Sequence, residues 1–380
     1  MTTKKKILIF IDWFLPAYKA GGPIRSVANM AEYLDKDYQF YIYTGNKDHD
    51  GTELTVANNQ WVEHNAHTKV YYSSSPSFFE VGSTIKSIQP NSIYINSMFS
   101  LAFTIYPLKW NLFLGNKQQR RVIVAPRGML QAGALQLKAT KKRLFLGLMK
   151  TSLLKAKNIY WQATDKQELE DIQLNIPHTS NIIEVGNIPS LVAEESAKKS
   201  PSDTIRFTTI SLVAEKKNHI YFIDLLQRVK ANKTIIYDIY GPIKDADYWQ
   251  QCKEEIKKVA PNVTVNYKGS IEPHKVAETL KQYHYFVLPT LGENFGHAIF
   301  EALANGLPVL ISDKTPWLNL EEKHAGWSIP LTDKDEWERV VQNIINDKAD
   351  YQDLSQGAKA LAAEYVSEQN FKVGYGELFS

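Results

Sequence analysis

Short apolar runs rich in β-branched and aromatic residues recur along the chain, and helical patterns lie between them. Each run has the length of about four to eight residues that is typical of a strand buried on both faces. The predicted strands are residues 6–12, 40–45, 92–96, 121–126 and 158–164, followed by 205–211, 234–241, 263–269, 285–290 and 308–312. The predicted helices include residues 25–34, 141–154, 221–229, 249–259 and 274–281. This alternation predicts an α/β protein with parallel sheets covered by helices.

A polar segment rich in serine, lysine and glutamate, residues 190–203, separates the two series of strands. We therefore predict two doubly wound, Rossmann-like domains, 1–195 and 196–380, which face each other across a cleft. The last helix of the chain is a candidate to pack back on the first domain. In such sheets ligands bind beyond the carboxyl ends of the strands, so the cleft is the expected site.

The amino-terminal sequence resembles a secretion signal only superficially, because Asp12 interrupts its apolar run and no small-residue cleavage site follows. No stretch approaches the ~20 apolar residues that a transmembrane helix needs. The single cysteine, Cys252, excludes an internal disulfide and a multi-cysteine metal cluster. We expect a cytoplasmic protein, either free or bound to the inner face of a membrane.

Charge is distributed unevenly, although the net charge is only +3. Residues 81–164 contain 13 Lys and Arg and no Asp or Glu, which favours an anionic partner over the alternative of a merely solvated basic face. Within this region, residues 133–157 combine seven basic residues with apolar residues at helical spacing, as in helices that lie on anionic membranes. We find no nucleic-acid-binding motif and expect no nucleic-acid partner.

The most informative segment is LPTLGENFGHAIFEALANGLPVLIS, residues 288–312. A strand is followed by a loop at Gly292, a helix that begins near residues 294–296, and a stop at Asn305–Gly306. The free amides and the dipole at such a helix start suit a diphosphate, and the carboxylates of Glu293 and Glu301 suit vicinal hydroxyls. Ordinary helix capping and solvation is the alternative that spacing alone leaves open.

The run ENFGHAIFE resembles the E-x7-E motif of family 4 of the retaining glycosyltransferases, which have the GT-B fold, and the similarity continues through EALANGLPVL. The resemblance implies that Glu293 binds hydroxyls of the donor sugar close to the reacting carbon. It implies that Asn294, Phe295 and Gly296 contact the donor, the last two through backbone N–H groups. Glu301 would hold the ribose hydroxyls.

Two further segments resemble donor-binding parts of the same family. AGGP follows the first predicted strand, where Gly21 and Gly22 would let the backbone approach the donor phosphates or the acceptor. EKKNH aligns with the segment that supplies a phosphate-binding lysine, so Lys217 is the first candidate and Lys216 the second. The sequence departs from the family at Leu212, where an arginine is common, and a leucine cannot replace a bidentate guanidinium.

In the first domain many relatives have a histidine near the reaction centre, whereas this chain offers Arg127, Asn96 and Ser97 after two central strands. We predict that Arg127 lines the cleft and assists catalysis together with Glu293, with a structural arginine as the alternative. Asn96, Ser97 and Arg127 are the predicted acceptor-binding residues.

The resemblance implies transfer of a sugar from a nucleotide sugar to a saccharide or lipid-linked saccharide, with retention at the anomeric carbon and no protein nucleophile. Many relatives extend lipid-linked saccharides at the cytoplasmic face, which agrees with membrane contact through residues 133–157. The histidines are scattered along the chain, so we expect no metal and no other cofactor. Another GT-B enzyme, such as a nucleotide-sugar epimerase or a glycan phosphorylase, and a non-catalytic nucleotide-binding protein remain as alternatives.

Overall fold

The computed structural model describes residues 4–114, 120–131, 134–135, 142, 145–147, 157–176, 179, 181–190, 203–230 and 232–380. The chain forms two compact units, one of residues 1–188 with 370–380 and one of residues 189–369. The boundary that the sequence predicts at residue 195 lies in 191–202, outside the described residues. The predicted class is confirmed, because each unit is a layered α/β structure around a mainly parallel sheet.

The N-terminal unit contains an eight-stranded sheet in the order β3-β4-β2-β1-β5-β6-β7-β8. Its strands are β1 Lys5–Phe10, β2 Tyr38–Gly45, β3 Trp61–Asn65, β4 Thr68–Ser73, β5 Ser92–Ile95, β6 Arg121–Val124, β7 Ile159–Ala163 and β8 Ile182–Glu184. Its helices with described bounds are α1 Gly22–Tyr33, α2 Phe78–Ile88, α3 Tyr106–Leu114 and α4 Lys166–Asn175. Only β3 runs antiparallel to its neighbour, β4.

The C-terminal unit contains a six-stranded parallel sheet in the order β11-β10-β9-β12-β13-β14. Its strands are β9 Thr204–Ile210, β10 Thr234–Tyr240, β11 Val263–Gly269, β12 Tyr285–Leu288, β13 Val309–Ser312 and β14 Gly326–Ile329. Its helices are α5 His219–Leu226, α6 Ala246–Ile256, α7 Val276–Leu280, α8 His297–Ala304, α9 Lys334–Ile345 and α10 Tyr351–Glu368. The last helix of the chain, α11 Phe371–Phe379, belongs to the N-terminal unit.

Helix α11 is held on the N-terminal sheet by specific contacts. The Tyr375 hydroxyl donates to the carbonyl of Gly186 at 3.2 Å, and the Ser92 hydroxyl donates to the carbonyl of Phe379 at 3.3 Å. A Cβ on Gly374 would lie 2.7 Å from a methyl group of Val185, so the absence of a side chain lets the helix approach β8. The end of the chain thus completes the first unit.

All ten strands that the sequence predicts are present, with ends that differ by a few residues. Four strands were not predicted: β3, β4, β8 and β14. Strand β3 is an edge strand with largely exposed side chains, and β8 and β14 are only three and four residues long, so none has a continuous apolar run. The predicted helix 141–154 lies mostly outside the described residues.

In each sheet the order of the strands reverses at one central position. In the N-terminal unit this position lies between β1 and β5, and in the C-terminal unit between β9 and β12. The connections from such a pair leave in opposite directions and open a crevice at the carboxyl ends of the two strands. Residues that the sequence analysis selected follow these strands, with Asn96 and Ser97 after β5, Lys217 after β9 and Glu293 after β12.

Candidate functional site

The loops at the carboxyl edge of the C-terminal sheet are joined by backbone hydrogen bonds. The Val213 N–H donates to the carbonyl of Pro242 at 3.0 Å, and the Lys244 N–H donates back to the carbonyl of Val213 at 3.0 Å. Gly241 has φ +137°, and a Cβ there would lie 1.8 Å from the Ser211 carbonyl oxygen. Only glycine allows the loops after β9 and β10 to approach this closely.

The predicted phosphate-binding lysine lies on the first of these loops. Residues Glu215–Lys217 form one turn of 3₁₀ helix, and the carbonyl of Lys216 accepts hydrogen bonds from the Leu291 N–H at 2.8 Å and the Thr290 hydroxyl at 3.0 Å. The loop after β9 is therefore fastened to the loop after β12, across the reversal point of the sheet. Thr290 was not selected by the sequence analysis, because nothing in its neighbourhood marks it as a crosslink.

Lys217 and Glu293 form an ion pair through Nζ and Oε1, although they are 76 residues apart in the chain. Each side chain is 16% exposed, so the pair is largely shielded but still reachable from solvent. The sequence analysis assigned the two residues separately, one to phosphate and one to sugar hydroxyls. The structure brings them into direct contact at the start of α8.

Burial lowers the pKa of the Lys217 ammonium to about 7, and the positive charges of Lys216 and Lys244 act in the same direction. The Glu293 carboxylate opposes this shift because it favours the charged form of its partner. Burial also lowers the pKa of Lys216. Three lysines therefore raise the local positive potential, which suits an anionic ligand.

Lys244 is a further candidate that the sequence analysis missed. It follows β10 in the segment IYGPIK, and hydrogen bonds seen in the structure join this turn to the lysine-bearing loop. The position of the expected arginine is occupied by Leu212, whose carbonyl accepts a hydrogen bond from Nε2 of His219 at 3.3 Å. Burial lowers the pKa of His219 to about 4, so its imidazole is neutral near pH 7 and supplies no replacement cation. Lys216 and Lys244 are the nearby charges that can compensate for Leu212.

The loop before α8 is fixed by an aromatic cluster. The Phe295 ring is buried against the rings of Trp317 and His297, with centroids 5.5 and 4.8 Å away. Nε1 of Trp317 donates to the carbonyl of Phe295 at 2.6 Å, and the Glu293 N–H donates to the carbonyl of Lys314 at 2.9 Å. The side chain of Phe295 is thus an anchor, while its predicted backbone contact to a donor remains a prediction.

Gly296 forms the N-cap of α8 with φ +77°, and a Cβ there would lie 2.8 Å from Cδ1 of Ile299. Among the residues that the structure describes, no side chain caps this end of the helix. Asn294 precedes the cap and Glu301 lies in the middle of the helix, both partly buried. The predicted stop at Asn305 and Gly306 is confirmed, since α8 ends at Ala304.

In the N-terminal unit, the predicted glycine loop connects β1 to α1. Gly21 has φ +74° and is the N-cap of α1, and Gly22 is the first residue of that helix. A Cβ on Gly21 would meet no atom within 4 Å, so the requirement for glycine here is its backbone conformation. A contact of these glycines with a ligand remains a prediction.

Arg127 lies after β6 and is bound on several sides. Its Nε donates to Oδ1 of Asn96 at 2.8 Å, and its terminal nitrogens donate to Oδ1 of Asn187 and to the hydroxyl of Tyr94. Burial lowers the pKa of the guanidinium, but Tyr94, Tyr375 and Glu168 outweigh it and raise the pKa overall. These contacts make Arg127 a crosslink of the N-terminal unit, and its predicted catalytic role remains a prediction.

The structure connects three of the predicted positions of the N-terminal unit. Asn96 accepts from Arg127 and donates through Nδ2 to the carbonyl of Pro23 at 3.2 Å, next to Gly22. Ser97 is buried beside Asn96. The predicted acceptor residues therefore form one cluster with the start of α1.

Most of the basic segment 133–157 lies outside the described residues, and its amphipathic helix remains a prediction. Among the described residues, no helix is both long and apolar enough to span a bilayer. Within the same residues, no three His, Cys, Asp or Glu side chains converge as a metal site requires, and metal independence remains a prediction.

Comparison with known proteins agrees with the site in the C-terminal unit. Residues 193–361 match the family of glycosyl transferases, group 1. A stretch of 173 residues, 44% of this chain, is 27% identical to the GtfA subunit of UDP-N-acetylglucosamine–peptide N-acetylglucosaminyltransferase from Streptococcus agalactiae. The match covers 32% of that relative, so the chain corresponds to about a third of its length.

Solved structures match nearly the whole chain. Sucrose-phosphate synthase from Thermosynechococcus elongatus has a TM-score of 0.72 at 14% identity, covering 99% of this chain and 98% of that one. HepE from Anabaena, solved with UDP-glucose, has a TM-score of 0.66 at 15% identity with 94% of each chain covered. TarM from S. aureus, solved with UDP and α-GlcNAc-glycerol, has a TM-score of 0.69 at 11% identity, covering 99% and 100%. The chain has the GT-B fold.

Proposed function

We propose that this protein is a glycosyltransferase that moves a sugar from a nucleotide sugar to a saccharide or lipid-linked saccharide acceptor. The observation that carries the proposal is the Lys217–Glu293 pair at the start of α8. In this pair a cation, which suits phosphate, lies beside a carboxylate, which suits hydroxyls, within the region that matches group 1 glycosyl transferases. We propose a UDP-sugar as donor, because the similar GtfA subunit is named for a UDP-sugar and HepE was solved with one.

In this mechanism the donor separates the ion pair. The diphosphate takes Lys217, the amides around Phe295 and Gly296 supply further donors, and the released Glu293 carboxylate accepts hydroxyls of the sugar. Glu301 holds the ribose hydroxyls. Lys216 and Lys244 add positive potential that the residue at position 212 does not provide.

Stabilising the departing diphosphate is the main catalytic task, because negative charge develops on it as the glycosidic bond breaks. With retention at the anomeric carbon, the acceptor hydroxyl attacks from the side that the diphosphate leaves, and a phosphate oxygen takes the hydroxyl proton. Glu293 then orients the sugar without bonding to it, and no metal is required. In the N-terminal unit, Arg127 positions Asn96 and the start of α1, and so stabilises the conformation of the acceptor-binding residues.

Purified protein incubated with radiolabelled UDP-glucose or UDP-N-acetylglucosamine and membrane extract tests the proposal. We expect incorporation of sugar into an acceptor, together with slow release of UDP in its absence. Tight UDP binding with neither transfer nor release would instead indicate the non-catalytic nucleotide-binding protein, which the leucine at position 212 makes the main rival. Interconversion of the donor sugar without transfer would indicate an epimerase.

We further propose that residues 133–157 bind the anionic cytoplasmic face of a membrane, where a polysaccharide or glycolipid precursor would be presented. The support is the acid-free composition of residues 81–164. Co-sedimentation with phosphatidylglycerol vesicles, compared with phosphatidylcholine vesicles, tests this. Equal recovery with both, or with neither, would contradict it.

A further inference from the structure

The crevice at the reversal point of the N-terminal sheet contains a carboxylate that the sequence analysis did not select. Strands β1 and β5 are neighbours, and their connections leave toward opposite edges of the sheet. Asp12 follows the end of β1 by two residues, and Ser97 follows the end of β5 by two residues. Both therefore lie at the carboxyl-end position where open α/β sheets bind ligands.

The contacts of Asp12 are with small hydroxyl groups and with its own backbone. The Ser100 hydroxyl donates to Oδ1 of Asp12 at 2.8 Å, and Ser97 and the Asp12 N–H also donate to the carboxylate. Ser100 simultaneously accepts from the Phe103 N–H at 3.3 Å, so its proton is directed to Asp12. The loop after β5 thus holds the carboxylate in one orientation.

No cation balances this carboxylate in the part of the chain that the structure describes, since Asp12 forms no ion pair there with Lys, Arg or His. Burial raises the pKa of the Asp12 carboxyl, and the hydrogen bonds from Ser100 and Ser97 act against burial. A shielded carboxylate without a cation costs folding free energy, and groups of this kind are concentrated at functional sites.

Glu80 offers a comparison within the same unit. Its carboxylate accepts from the hydroxyls of Tyr43, Tyr71 and Ser73, and so it ties α2 to strands β2 and β4. That network explains Glu80 as a structural residue. The donors from Ser97 and Ser100, by contrast, come from one short loop and crosslink little, and a carboxylate still has an acceptor position left.

The surroundings suit a saccharide. Trp13 follows Asp12, is partly exposed, and packs on the His49 ring with centroids 4.9 Å apart, so aromatic surface is present in the same loop. Asn96 and the start of α1 are joined at the same edge through the carbonyl of Pro23. Aromatic surface with a few fixed polar groups is the usual lining of small-molecule sites.

We propose that the carboxylate of Asp12, oriented by Ser97 and Ser100, accepts a hydrogen bond from a hydroxyl of the saccharide acceptor in the crevice between β1 and β5. This inference rests on the proposed glycosyltransferase function and adds a specific acceptor contact to it. It assigns acceptor binding to the N-terminal unit independently of the donor residues of the C-terminal unit.

The test compares the wild type with Asp12→Asn, using UDP-glucose and UDP-N-acetylglucosamine as donors and methyl and octyl glycosides of glucose, galactose and N-acetylglucosamine as acceptors. We expect Asp12→Asn to lower kcat/KM for the acceptor roughly 10- to 100-fold, as expected for loss of a charge-assisted hydrogen bond. UDP release without acceptor and calorimetric UDP affinity should stay within about twofold, because the donor residues lie elsewhere. Ser97→Ala should produce a smaller loss of the same kind.

Asp37→Asn is the matched control. Asp37 is exposed, directly precedes the amino end of β2, away from the carboxyl-end loops, and pairs with Lys372. A melting curve for each variant separates misfolding from loss of contact. Unchanged acceptor kcat/KM in Asp12→Asn, or a wild type that releases UDP but transfers to none of these glycosides, would overturn the Asp12 assignment alone. A wild type that neither binds UDP nor releases it would overturn the proposed function itself.

Discussion

The two charged centres of the molecule differ in what their charges contact. In the C-terminal unit, Lys217 and Glu293 hold each other at a helix start, each still 16% exposed. In the N-terminal unit, Arg127 donates to oxygens of Asn96, Asn187 and Tyr94, and the Glu168 carboxylate is near enough to raise its pKa. A charge paired with one reachable partner can exchange it for a ligand, whereas a charge bound to several internal oxygens cannot leave without disrupting its surroundings.

The comparison therefore separates a site in which an ion pair can be exchanged for a ligand from a site in which a charge stabilises the surrounding structure. It predicts that substitutions at Lys217 and Glu293 change binding and turnover at nearly constant stability. It predicts the reverse for Arg127, where stability should respond first. The experiments that follow are ordered by the size of the expected effect.

The largest effect is expected for Glu293→Gln, which keeps the shape of the side chain but removes its charge. Turnover should fall by roughly 10²–10³-fold, because the sugar loses its strongest hydroxyl acceptor. UDP should bind at least as tightly as to the wild type, since Lys217 no longer has to leave a carboxylate. Steady-state kinetics and calorimetry give the two values, with Glu254→Gln on α6 as an exposed control. Unchanged turnover would contradict the role of Glu293.

Arg127→Met should reduce the free energy of unfolding of the N-terminal unit by about 3 kcal/mol, because three buried or partly buried acceptors lose their donor. Hydrogen exchange of the slowest amides in β5 and β6 reports this unit separately from the other. The control is Arg121→Met, which removes a hydrogen bond to the carbonyl of Glu377 and a cation–π contact with Tyr160, and it should cost about 1–2 kcal/mol. If the two variants lose the same free energy of unfolding, Arg127 has no special structural role, and the contrast with the Lys217–Glu293 pair fails.

Lys217→Ala should weaken UDP binding roughly tenfold, as expected for one charge-assisted contact to phosphate. Melting temperature should fall less than in Arg127→Met, because the Glu293 carboxylate that loses its partner is 16% exposed and keeps some access to water. Calorimetry with UDP measures the effect, and Lys257→Ala, which changes an exposed lysine just after α6, is the matched control. If Lys217→Ala binds UDP like the wild type while Lys216→Ala does not, the phosphate-binding role belongs to Lys216.

The smallest effect concerns pH. The Lys217 pKa of about 7 means that the free protein loses this proton as the pH rises from 7 to 9, while phosphate binds the ammonium form. UDP affinity should therefore fall with rising pH, by less than the roughly tenfold loss expected for Lys217→Ala, because deprotonation removes the charge but not the side chain. Calorimetry across this window should show a flat profile for Lys217→Ala. A wild-type profile that is equally flat would contradict the lowered pKa.

The sequence predicted the central strands well, because Ile7–Phe10 and their counterparts form continuous apolar runs. It predicted α8 well, since the stop at Asn305 and Gly306 is local chemistry. Edge strand β3 was missed because its exposed side chains leave no such run. The sequence analysis noted Asp12 only as a polar interruption of the first strand. Its contacts with Ser97 and Ser100 could not be predicted, because they join two loops that are far apart in the sequence.

Local pattern by itself determined the α/β class, the two series of strands and the type of chemistry available after β12. These three features depend on local properties of the chain, such as the continuous apolar runs that form buried strands and the conformational freedom of Gly296. Only the tertiary structure decided that Lys217 meets Glu293, that Arg127 is fastened to Asn96 and Asn187, and that Asp12 lies beside Ser97. Each of these pairings depends on the order of strands in a sheet, and that order results from long-range packing between residues far apart in the sequence.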